Sequence, residues 1–288
     1  QSFSRAARIN GITQSAVSQQ LRSMEKQLGV FIIDRTQKQF RLTTEGAKLQ
    51  VFAQDILHQY DVFRSELEQM SKVLNGNIQL STICSIGLHQ LPPYHKRFLQ
   101  LYPQVNVRIE YRRSNLVYED VMHGMADIGL VAYPEKLKDI TTTVFQEDHV
   151  VVIASPQNPL AKNKSISLEQ IAEQNFIAFD ADIPTGRVVG DLFREMGLKV
   201  DPVMTFDNIE TVKRAVEIDA GIAFVPAATV TQEVKQGILA SIEIADKKII
   251  RPLAIIHRKS RVLSPAIERF IEIMTQKNES QLLQISAQ

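Results

Sequence analysis

The 288-residue sequence has a single cysteine, Cys84, and no long apolar run. One thiol excludes an intrachain disulfide framework and is typical of a reducing compartment. No apolar stretch approaches the roughly 20 residues that cross a membrane. The first eleven residues contain two arginines and lack the apolar core of a secretory signal. We therefore expect a cytoplasmic protein with no membrane partner.

Sequence motifs for metals, nucleotides and catalysis are also missing. The six histidines show no HExxH spacing, and a single cysteine cannot form a CxxC pair. The segment GMADIG lacks the GxGxxG arrangement, and neither GxxxxGK(S/T) nor GxSxG occurs. We therefore expect no metal site, no cofactor, no catalytic residue and no enzymatic activity.

Charge is unevenly distributed along a chain that is long enough for two or three domains. Residues 1–50 hold eight Lys or Arg side chains against three acidic ones, whereas residues 76–288 hold 23 against 25. A basic head on a nearly neutral body indicates a polyanionic partner for the N-terminal region only. The alternative is a chance imbalance of surface charge.

The N-terminal region has the signals of two short helices. In SFSRAARIN, Ser2 is placed as an N-cap and Asn10–Gly11 as a left-handed stop. Thr13 is placed to cap the next helix. Its apolar residues recur every three or four positions and predict one buried stripe: Val17, Leu21, Met24 and Leu28. Two helices joined by a tight glycine-containing turn predict a helix-turn-helix.

The opposite face of the second helix is short of charge. It carries Gln14, Ser15, Ser18, Gln19 and Arg22. Gln bonds adenine, Ser reaches either kind of base edge, and Arg reads guanine or phosphate. Short side chains also let the helix backbone enter a DNA groove. The alternative is a solvated helix face that happens to carry few charges.

Residues 31–42 predict a β-wing. Residues 31–33 and 40–42 have strand patterns and flank a polar turn at 36–39. Arg35, Lys38 and Arg41 are available for phosphates, and such contacts position a protein without reading sequence.

The whole stretch SFSRAARINGITQSAVSQQLRSMEKQLGVFIIDRTQKQFRLTTEG resembles the winged helix-turn-helix of LysR-type transcriptional regulators. The shared residues are Ser2, Phe3, Ala6, Ala7, Gln14, Ala16, Val17, Ser18, Leu21, Glu25, Leu28, Gly29, Arg35, Leu42, Thr43 and Gly46. The departures are Met24 for Leu and Ile32–Ile33 for Leu-Phe, all apolar for apolar. The family has a further helix before this stretch, so we expect a chain truncated at its start or numbered from inside the domain.

The resemblance implies a DNA-binding surface. The base readers implied by it are Gln14, Ser15, Ser18, Gln19 and Arg22, and the phosphate contacts are Arg35 and the backbone near Thr43 and Thr44. Thr13, Lys38 and Arg41 complete the predicted surface.

Residues 46–76 predict a long linker helix. Apolar residues follow one seam at alternating spacings of three and four, close to a coiled coil: Leu49, Phe52, Ile56, Tyr60, Phe63, Leu67, Met70 and Leu74. A helix of about 30 residues is about 45 Å long, too long for the small head to cover. We therefore predict dimerisation through Leu49, Phe52, Ile56, Phe63, Leu67 and Met70, which the family also implies. The alternative is a helix packed on its own domain.

From residue 77 onward, strand and helix patterns alternate, which predicts α/β layers with largely parallel sheets. The predicted strands are 77–83, 105–111, 127–131, 148–154, 176–179, 222–225 and 253–257. One helix is predicted at 88–102. Segments such as GMADIGLV and IDAGIAFVP resemble the effector domain of the same family. That domain is similar to type 2 periplasmic binding proteins, which have two lobes. The predicted first lobe is 77–147 and 252–280, and the second lobe is 148–251.

Ligands of open α/β sheets bind outside the carboxyl ends of strands. These ends predict the following effector-binding residues: Cys84, Ser85, Ile86, Arg113, Ser114, Asn115, Ala132, Tyr133, Thr185, Arg187, Phe224 and Pro226. Ser85 and Thr185 lie at helix starts, and arginines lie nearby, which favours an organic anion. The alternative is that the arginines are surface residues and the hydroxyls merely caps.

Together these features predict an α/β protein with a winged helix-turn-helix head (1–45), a linker helix (46–76) and a two-lobed effector-binding domain (77–288). The function expected from the resemblance is ligand-responsive, sequence-specific transcription regulation in the cytoplasm, at a bacterial-type nucleoid. The expected partners are double-stranded DNA with an inverted repeat, a second copy in a dimer or a tetramer made of two dimers, a small-molecule effector and, as a further candidate, RNA polymerase. A transport receptor and an enzyme on a two-lobed fold are the rival classes, disfavoured by the head and by the missing motifs.

Overall fold

The computed structural model describes residues 2–34, 41–69 and 74–276. The chain forms two compact units, residues 1–61 and 62–288. Across the described ranges, no helix combines the length and apolarity required to span a bilayer.

The first unit contains a helix-turn-helix and two short strands. Its elements are α1 (Phe3–Ile9), α2 (Gln14–Leu28), β1 (Ile33–Asp34), β2 (Arg41–Leu42) and α3 (Thr44–Gln69), which continues into the second unit. The predicted caps are confirmed, since Ser2 Oγ accepts from Arg5 N at 3.4 Å and Thr13 Oγ1 from Ala16 N at 3.2 Å. β1 and β2 pair antiparallel. The wing turn, including Arg35 and Lys38, lies outside the described residues.

The predicted apolar stripe of α2 is wrong at its C-terminal end. Val17 and Leu21 are half-buried, but Met24 is 45% exposed and Leu28 51% exposed. The buried residue of α2 is instead Glu25, at 7% exposure. Within the described residues Met24 and Leu28 keep about half of their surface exposed, so helical spacing alone did not show which side of the helix is buried.

A buried carboxylate and a glycine hold α2, β1 and α3 together. Glu25 Oε1 accepts from the backbone N–H of Ile32 at 3.0 Å and of Ile33 at 3.3 Å. Gly46 packs so closely on the Ile32 carbonyl that a Cβ at this position would overlap it. Only a residue without a side chain fits there.

The helix α3 begins with a threonine cap. The Thr43 hydroxyl donates to the Phe31 carbonyl at 2.6 Å and accepts from Gly46 N at 2.9 Å. Thr44 is the first helical residue of α3. Described over 26 residues, α3 is about 39 Å long.

The second unit begins with a parallel βα layer that we call the first lobe. Its elements are β3 (Gly76–Thr82), α4 (Cys84–His89), α5 (Leu91–Leu101), β4 (Val105–Tyr111), α6 (Ser114–Met122) and β5 (Ile128–Ala132). The single helix predicted at 88–102 is two helices. Pro92 and Pro93 lack an N–H and fit only in the first turn of a helix, so α5 starts afresh at Leu91.

The remaining elements form what we call the second lobe and the strands that join the lobes. They are β6 (Ile140–Ala154), β7 (Ser165–Ile166), α7 (Leu168–Ala172), β8 (Phe176–Phe179), α8 (Pro184–Glu195), β9 (Met204–Phe206), α9 (Ile209–Glu217), β10 (Ile222–Pro226), α10 (Thr231–Lys235), β11 (Ala240–Ile244), β12 (Ile249–Arg258) and α11 (Pro265–Thr275). Short 3-10 turns cover Pro159–Lys162 and Ala227–Val230.

One sheet runs through both lobes in the order β4-β3-β5-β12-β6-β10-β8-β9, with β11 beside β6. Pairs within each lobe, such as β3 with β4 and β8 with β9, are parallel. The long strands β6 and β12 are antiparallel, from Ile140 opposite Arg258 to Val150 opposite Ile249. The α/β class is therefore confirmed, but the sheet is mixed rather than largely parallel.

Several strands differ from the predictions. β6 begins at Ile140, well before the predicted start at 148, because its first half is polar and partly exposed. β7 and β9 were missed since two or three residues show no readable alternation. β11 was also missed, although apolar and polar residues alternate in its sequence ASIEI and the apolar ones are the more buried.

Apolar clusters cover both faces of the sheet in each lobe. In the first lobe Phe98 and Phe270 meet edge to face at 5.0 Å between ring centroids. In the second, Phe176, Phe193 and Phe224 form a triad with centroids 5.6–5.7 Å apart. Each such aromatic pair contributes about 0.5–1.5 kcal/mol beyond its buried area, so each lobe has its own rigid core.

A substitution at Gly46 tests the close packing of the head, and a substitution at Gly190 in the second unit serves as its control. Gly46→Ala should lower the free energy of unfolding by about 1–3 kcal/mol, because the new methyl group overlaps the Ile32 carbonyl. Gly190→Ala, in α8 with no atom within 4 Å of the new Cβ, should raise it by roughly 1 kcal/mol through helix propensity. Urea unfolding followed by circular dichroism measures both. Unchanged stability of Gly46→Ala would contradict the packing described for the head.

Candidate functional site

The polar face of α2 lies open to solvent. Gln14, Ser15, Gln19 and Arg22 are exposed, and Ser18 is half-buried. Thr13 is also exposed. Its hydroxyl lies 2.9 Å from the Ser15 hydroxyl, at hydrogen-bond distance. The amide and guanidinium groups of this face therefore point away from the small core of the head.

The predicted phosphate contacts are only partly described. Arg41 and Thr44 are exposed, and Thr43 is half-buried with its hydroxyl engaged by the Phe31 carbonyl. Arg35 and Lys38 lie outside the described residues.

The apolar seam of α3 is exposed along its described length. Phe52, Ile56 and Phe63 are 63%, 52% and 55% exposed, and Leu49 is half-buried. The Leu67 side chain and Met70 lie outside the described residues. Large apolar side chains in a row are unusual on a solvated surface and mark an interaction site.

A cleft of about 380 Å3 lies between the two lobes of the second unit. Cavities of this size, mostly apolar with a few polar groups, are typical small-molecule sites. Seven predicted residues line it: Cys84, Ser85, Arg113, Ser114, Ala132, Thr185 and Pro226.

Five predicted residues are not among those that line the cleft. Ile86 is buried in the core of the first lobe, and Phe224 in the aromatic triad of the second. Tyr133 packs partly buried against the first core. Asn115 and Arg187 are exposed. Neighbouring residues at a strand or helix end face opposite ways, so proximity in sequence to a lining residue does not bring a side chain into the cleft.

Sequence reasoning missed several lining residues. From the first lobe they are Ile83, Tyr111, Arg112 and Leu116; from the second, Phe179, Ile183, Pro184, Asp207, Asn208 and Ile209; and from β12, Arg251. Residues 207–209 were missed because the short strand before them was missed. Arg251 could have been selected from the sequence, because it is the one charged residue in the apolar run IIRPLAII and a charge in such a run is seldom without a function or a partner.

An arginine bridges the mouth of the cleft. Arg113 of the first lobe donates to Asp207 at 2.6 and 3.2 Å, to Asp182 at 2.9 Å and to Asp180 at 3.2 Å, all in the second lobe. The hydrogen bond from Arg113 holds the pKa of Asp207 below its ordinary value. The arginine predicted to meet an anion is therefore already surrounded by carboxylates.

One further ion pair and one hydrogen-bonded pair join the lobes. Arg187 Nη2 lies 3.7 Å from Glu135 Oε1, and His89 Nε2 lies 2.9 Å from Glu210 Oε1. Burial raises the pKa of Glu210, but hydrogen bonds from Lys213 and His89 outweigh it and the pKa is lowered. Glu210 is therefore charged at neutral pH.

A polar cluster lies in the floor of the cleft around Arg251, which is 1% exposed. Its Nη2 donates to Ser85 Oγ at 2.6 Å, and its Nη1 lies 3.9 Å from Asp148 Oδ2, too far for a hydrogen bond. Within the described part of the chain, Nε and Nη1 of Arg251 have no hydrogen-bond acceptor. Burial lowers the pKa of Arg251 to about 10, so it remains charged at neutral pH.

Two neighbouring groups in this region stay neutral. Burial raises the pKa of Tyr133 to about 12, and its buried hydroxyl has no hydrogen-bond partner in the described residues. Burial, followed by the charge of Asp207, raises the pKa of the Cys84 thiol. A thiol held in its protonated form is a poor nucleophile, so Cys84 contributes a small apolar surface to the cleft.

In the ranges that the structure covers, no group of three or more His, Cys, Asp or Glu side chains is arranged to hold a metal ion.

Comparison with known proteins places this geometry in a family. The family model described as Bacterial regulatory helix-turn-helix protein, lysR family, matches residues 1–47, and the LysR substrate binding domain model matches residues 71–279. A probable RuBisCO transcriptional regulator of Gracilaria tenuistipitata var. liui is 30% identical over 283 residues, which cover 95% of this chain and 91% of that protein.

Two solved structures share the fold. Full-length OxyR from Pseudomonas aeruginosa has a TM-score of 0.76 at 23% identity and covers 96% of this chain and 88% of its own. The regulatory domain of CcmR from Synechocystis PCC6803, in complex with 2-PG, has a TM-score of 0.66 at 22% identity and covers 71% of this chain and 99% of its own. The family models, the curated relative and the fold agree, and the chain belongs to the LysR family of transcriptional regulators, with a DNA-binding helix-turn-helix and an effector-binding domain.

Proposed function

We propose that this LysR-family regulator binds an inverted-repeat DNA site as a dimer, and that a small organic anion bound in the cleft controls it. The observation that carries the DNA half of the proposal is the exposed face of α2, which bears amides, hydroxyls and one guanidinium in place of solvating Lys and Glu. The proposal places the protein in the cytoplasm at the nucleoid, with RNA polymerase as a further partner.

The DNA contacts follow from the chemistry of the head. Base edges are read by Gln14, Ser15, Ser18, Gln19 and Arg22, with Thr13 at the helix start. Phosphates are held by Arg35, Lys38 and Arg41 and by the chain at Thr43 and Thr44. The Thr43 hydroxyl donates to the Phe31 carbonyl and its backbone N–H to the Ile32 carbonyl, so the exposed Thr44 is the better placed of the two to reach a phosphate.

Dimerisation uses the seam of α3. The exposure of Phe52, Ile56 and Phe63 supports this assignment. Their apolar side chains are removed from water only if a partner covers them. Leu49, Leu67 and Met70 extend the seam. A two-fold dimer presents two recognition helices and so reads two half-sites, and two dimers form a tetramer.

Effector control uses the cleft between the lobes. In our proposal the head is 1–45, the linker 46–76, the first lobe 77–147 with 252–280, and the second lobe 148–251. A ligand that contacts both walls binds better to one arrangement of the lobes than to another, and only that difference in affinity shifts the equilibrium. The contacts of Arg113, Arg187 and His89 across the lobes are exposed or partly exposed, so each is weak enough to reform in a new arrangement.

The DNA surface is tested by two arginine substitutions measured on DNA from upstream of neighbouring genes. Arg22→Ala should cost about 1–3 kcal/mol at one base position and relax the preference there. Arg41→Ala should weaken all sequences about equally and lower the slope of log K against log salt by about 1. Fluorescence anisotropy with single-base operator variants measures both. Absence of any preference over competitor DNA would overturn the regulator proposal for this surface.

The proposed dimer interface is tested by introducing carboxylates into the apolar seam of α3. Phe52→Glu combined with Ile56→Glu should shift the protein towards monomers, because each buried carboxylate lacks a partner. Ala47→Glu, an exposed position of α3 outside the seam, is the matched control and should leave the mass unchanged. Analytical ultracentrifugation gives the mass. A double variant with the parental mass would exclude this seam as the interface.

The cleft is tested by a thermal-shift screen of small metabolites. A ligand at 100 times its Kd adds about 2.7 kcal/mol of stability. Ser114→Trp fills the cleft and should abolish the shift, whereas Asn115→Trp, the exposed neighbour that does not line it, should retain the shift. If Ser114→Trp retains an unchanged ligand response, the effector binds elsewhere.

A further inference from the structure

The cations that line the cleft differ in how far their charge is already satisfied. Arg113 has three aspartates within 3.2 Å. Arg112 lies 2.9 Å from Glu110 and 3.3 Å from Asp120. The positive charges of Arg112 and Arg113 are therefore already compensated by carboxylates of the protein.

Arg251 is the exception. It lines the cleft and is almost completely buried, yet the one hydrogen bond that its side chain makes among the described residues goes to a neutral hydroxyl, Ser85 Oγ. The nearby carboxylate of Asp148 is engaged elsewhere, accepting from His149 N at 2.8 Å and from Gln90 Nε2 at 3.4 Å. At 3.9 Å from Nη1, it compensates the charge of Arg251 only partly.

Such an arrangement is costly in a folded protein. A buried donor without an acceptor keeps its full desolvation penalty, and native proteins retain few such groups. For Arg251 this applies at both Nε and Nη1 within the described residues. Buried unsatisfied groups that face a cavity are functional-site candidates, since a ligand is what satisfies them.

Ser85 adds a donor beside the guanidinium. A hydroxyl that accepts one hydrogen bond still has its own hydrogen to donate. Because Ser85 Oγ accepts from Arg251 and lines the cleft, its hydrogen is free for a ligand oxygen. Arg251 and Ser85 thus place one positive charge and a hydroxyl donor together in the floor of the cleft.

We propose that Arg251 and Ser85 form the anchor for one carboxylate of the effector, and that the effector is a singly charged acid with a compact apolar body. This inference rests on the proposed effector role of the cleft. It moves the anion contact from Arg113 and Arg187, which the sequence favoured, to a residue that the sequence reasoning did not select.

The rest of the cleft defines the remainder of the ligand. At the mouth, Asp180, Asp182 and Asp207 oppose the single charge of Arg113 and disfavour a second negative group. The walls between mouth and floor are apolar, and include Ile83, Leu116, Phe179, Ile183 and Ile209. A dicarboxylate or a sugar phosphate fits this distribution poorly, whereas a small aromatic or aliphatic monocarboxylate fits it well.

The test uses three probe families and the full chain. Benzoate, cyclohexanecarboxylate and hexanoate are compared with their neutral amides and with phthalate by calorimetric titration, up to about 10 mM, roughly tenfold above a millimolar Kd. At least one monocarboxylate should bind more than tenfold tighter than its amide and than phthalate. If no monocarboxylate binds, or if amide and acid bind equally, the inference is overturned.

Variants then locate the anchor. Arg251→Gln should weaken the bound acid roughly 10- to 100-fold, as expected for losing a charged partner, and bring the ratio of acid to amide affinity near one. Ser85→Ala, a milder change, should weaken the acid while leaving the amide unaffected. The control is Arg269→Gln, an exposed arginine of α11, which should change neither.

The ratio of acid to amide separates a ligand anchor from a structural role. If Arg251 served only the fold, Arg251→Gln would lower thermal stability but leave that ratio unchanged, and the inference would fail. The proposed function fails differently: a ligand from the metabolite screen would then bind Ser114→Trp as well as the parent. A neutral ligand that Ser114→Trp excludes and Arg251→Gln still binds would overturn the anchor and leave the effector cleft standing.

Discussion

The antiparallel pairing of β6 with β12 is the constraint on which the effector domain depends. These two strands run through both lobes, and their register places Asp148 opposite Arg251 and Glu147 opposite Pro252. The register shifts between Leu253, which packs in the core of the first lobe, and Ala254. Since the backbone of a paired strand is held by successive hydrogen bonds, this pair ties the two lobes to one another.

The position of this pair also explains the charge distribution of the cleft. Arg251 lies on one of the joining strands with its side chain enclosed, whereas its neighbour Ile250 is 44% exposed. Residues at the mouth, such as Arg113 and Asp207, are instead solvated. Solvated ion pairs form and break at little cost, whereas a buried charge keeps a large energetic preference for a matching group. The mouth is therefore suited to switching and the floor to recognition.

Local pattern predicted much of the framework. Ser2 and Thr13 were assigned as caps because their hydroxyls precede apolar periodicity, and the strands at 105–111 and 176–179 were assigned from alternating or continuous apolar residues, with bounds that agree with β4 and β8. The errors arose where tertiary contacts overrode pattern. Met24 fits an apolar stripe by spacing, but Glu25 is the residue that the head buries, because its carboxylate binds two backbone N–H groups. The polar half of β6 is a strand only because β12 pairs with it.

The sequence by itself determined the family, the helix-turn-helix and its polar face, because these depend on residues within a few positions of one another. It also indicated strand ends such as Ser85, Arg113 and Thr185 as candidates, since the ends of parallel strands share one edge. Only the tertiary structure decided which of them meet: Arg113 joins Asp207 across 94 positions, and Arg251 joins Ser85 across 166. Contacts at such separations depend on strand order and register, which no local pattern carries. In the tertiary structure Arg113, which the sequence favoured, is paired with aspartates. Arg251 keeps two N–H donors without an acceptor among the described residues.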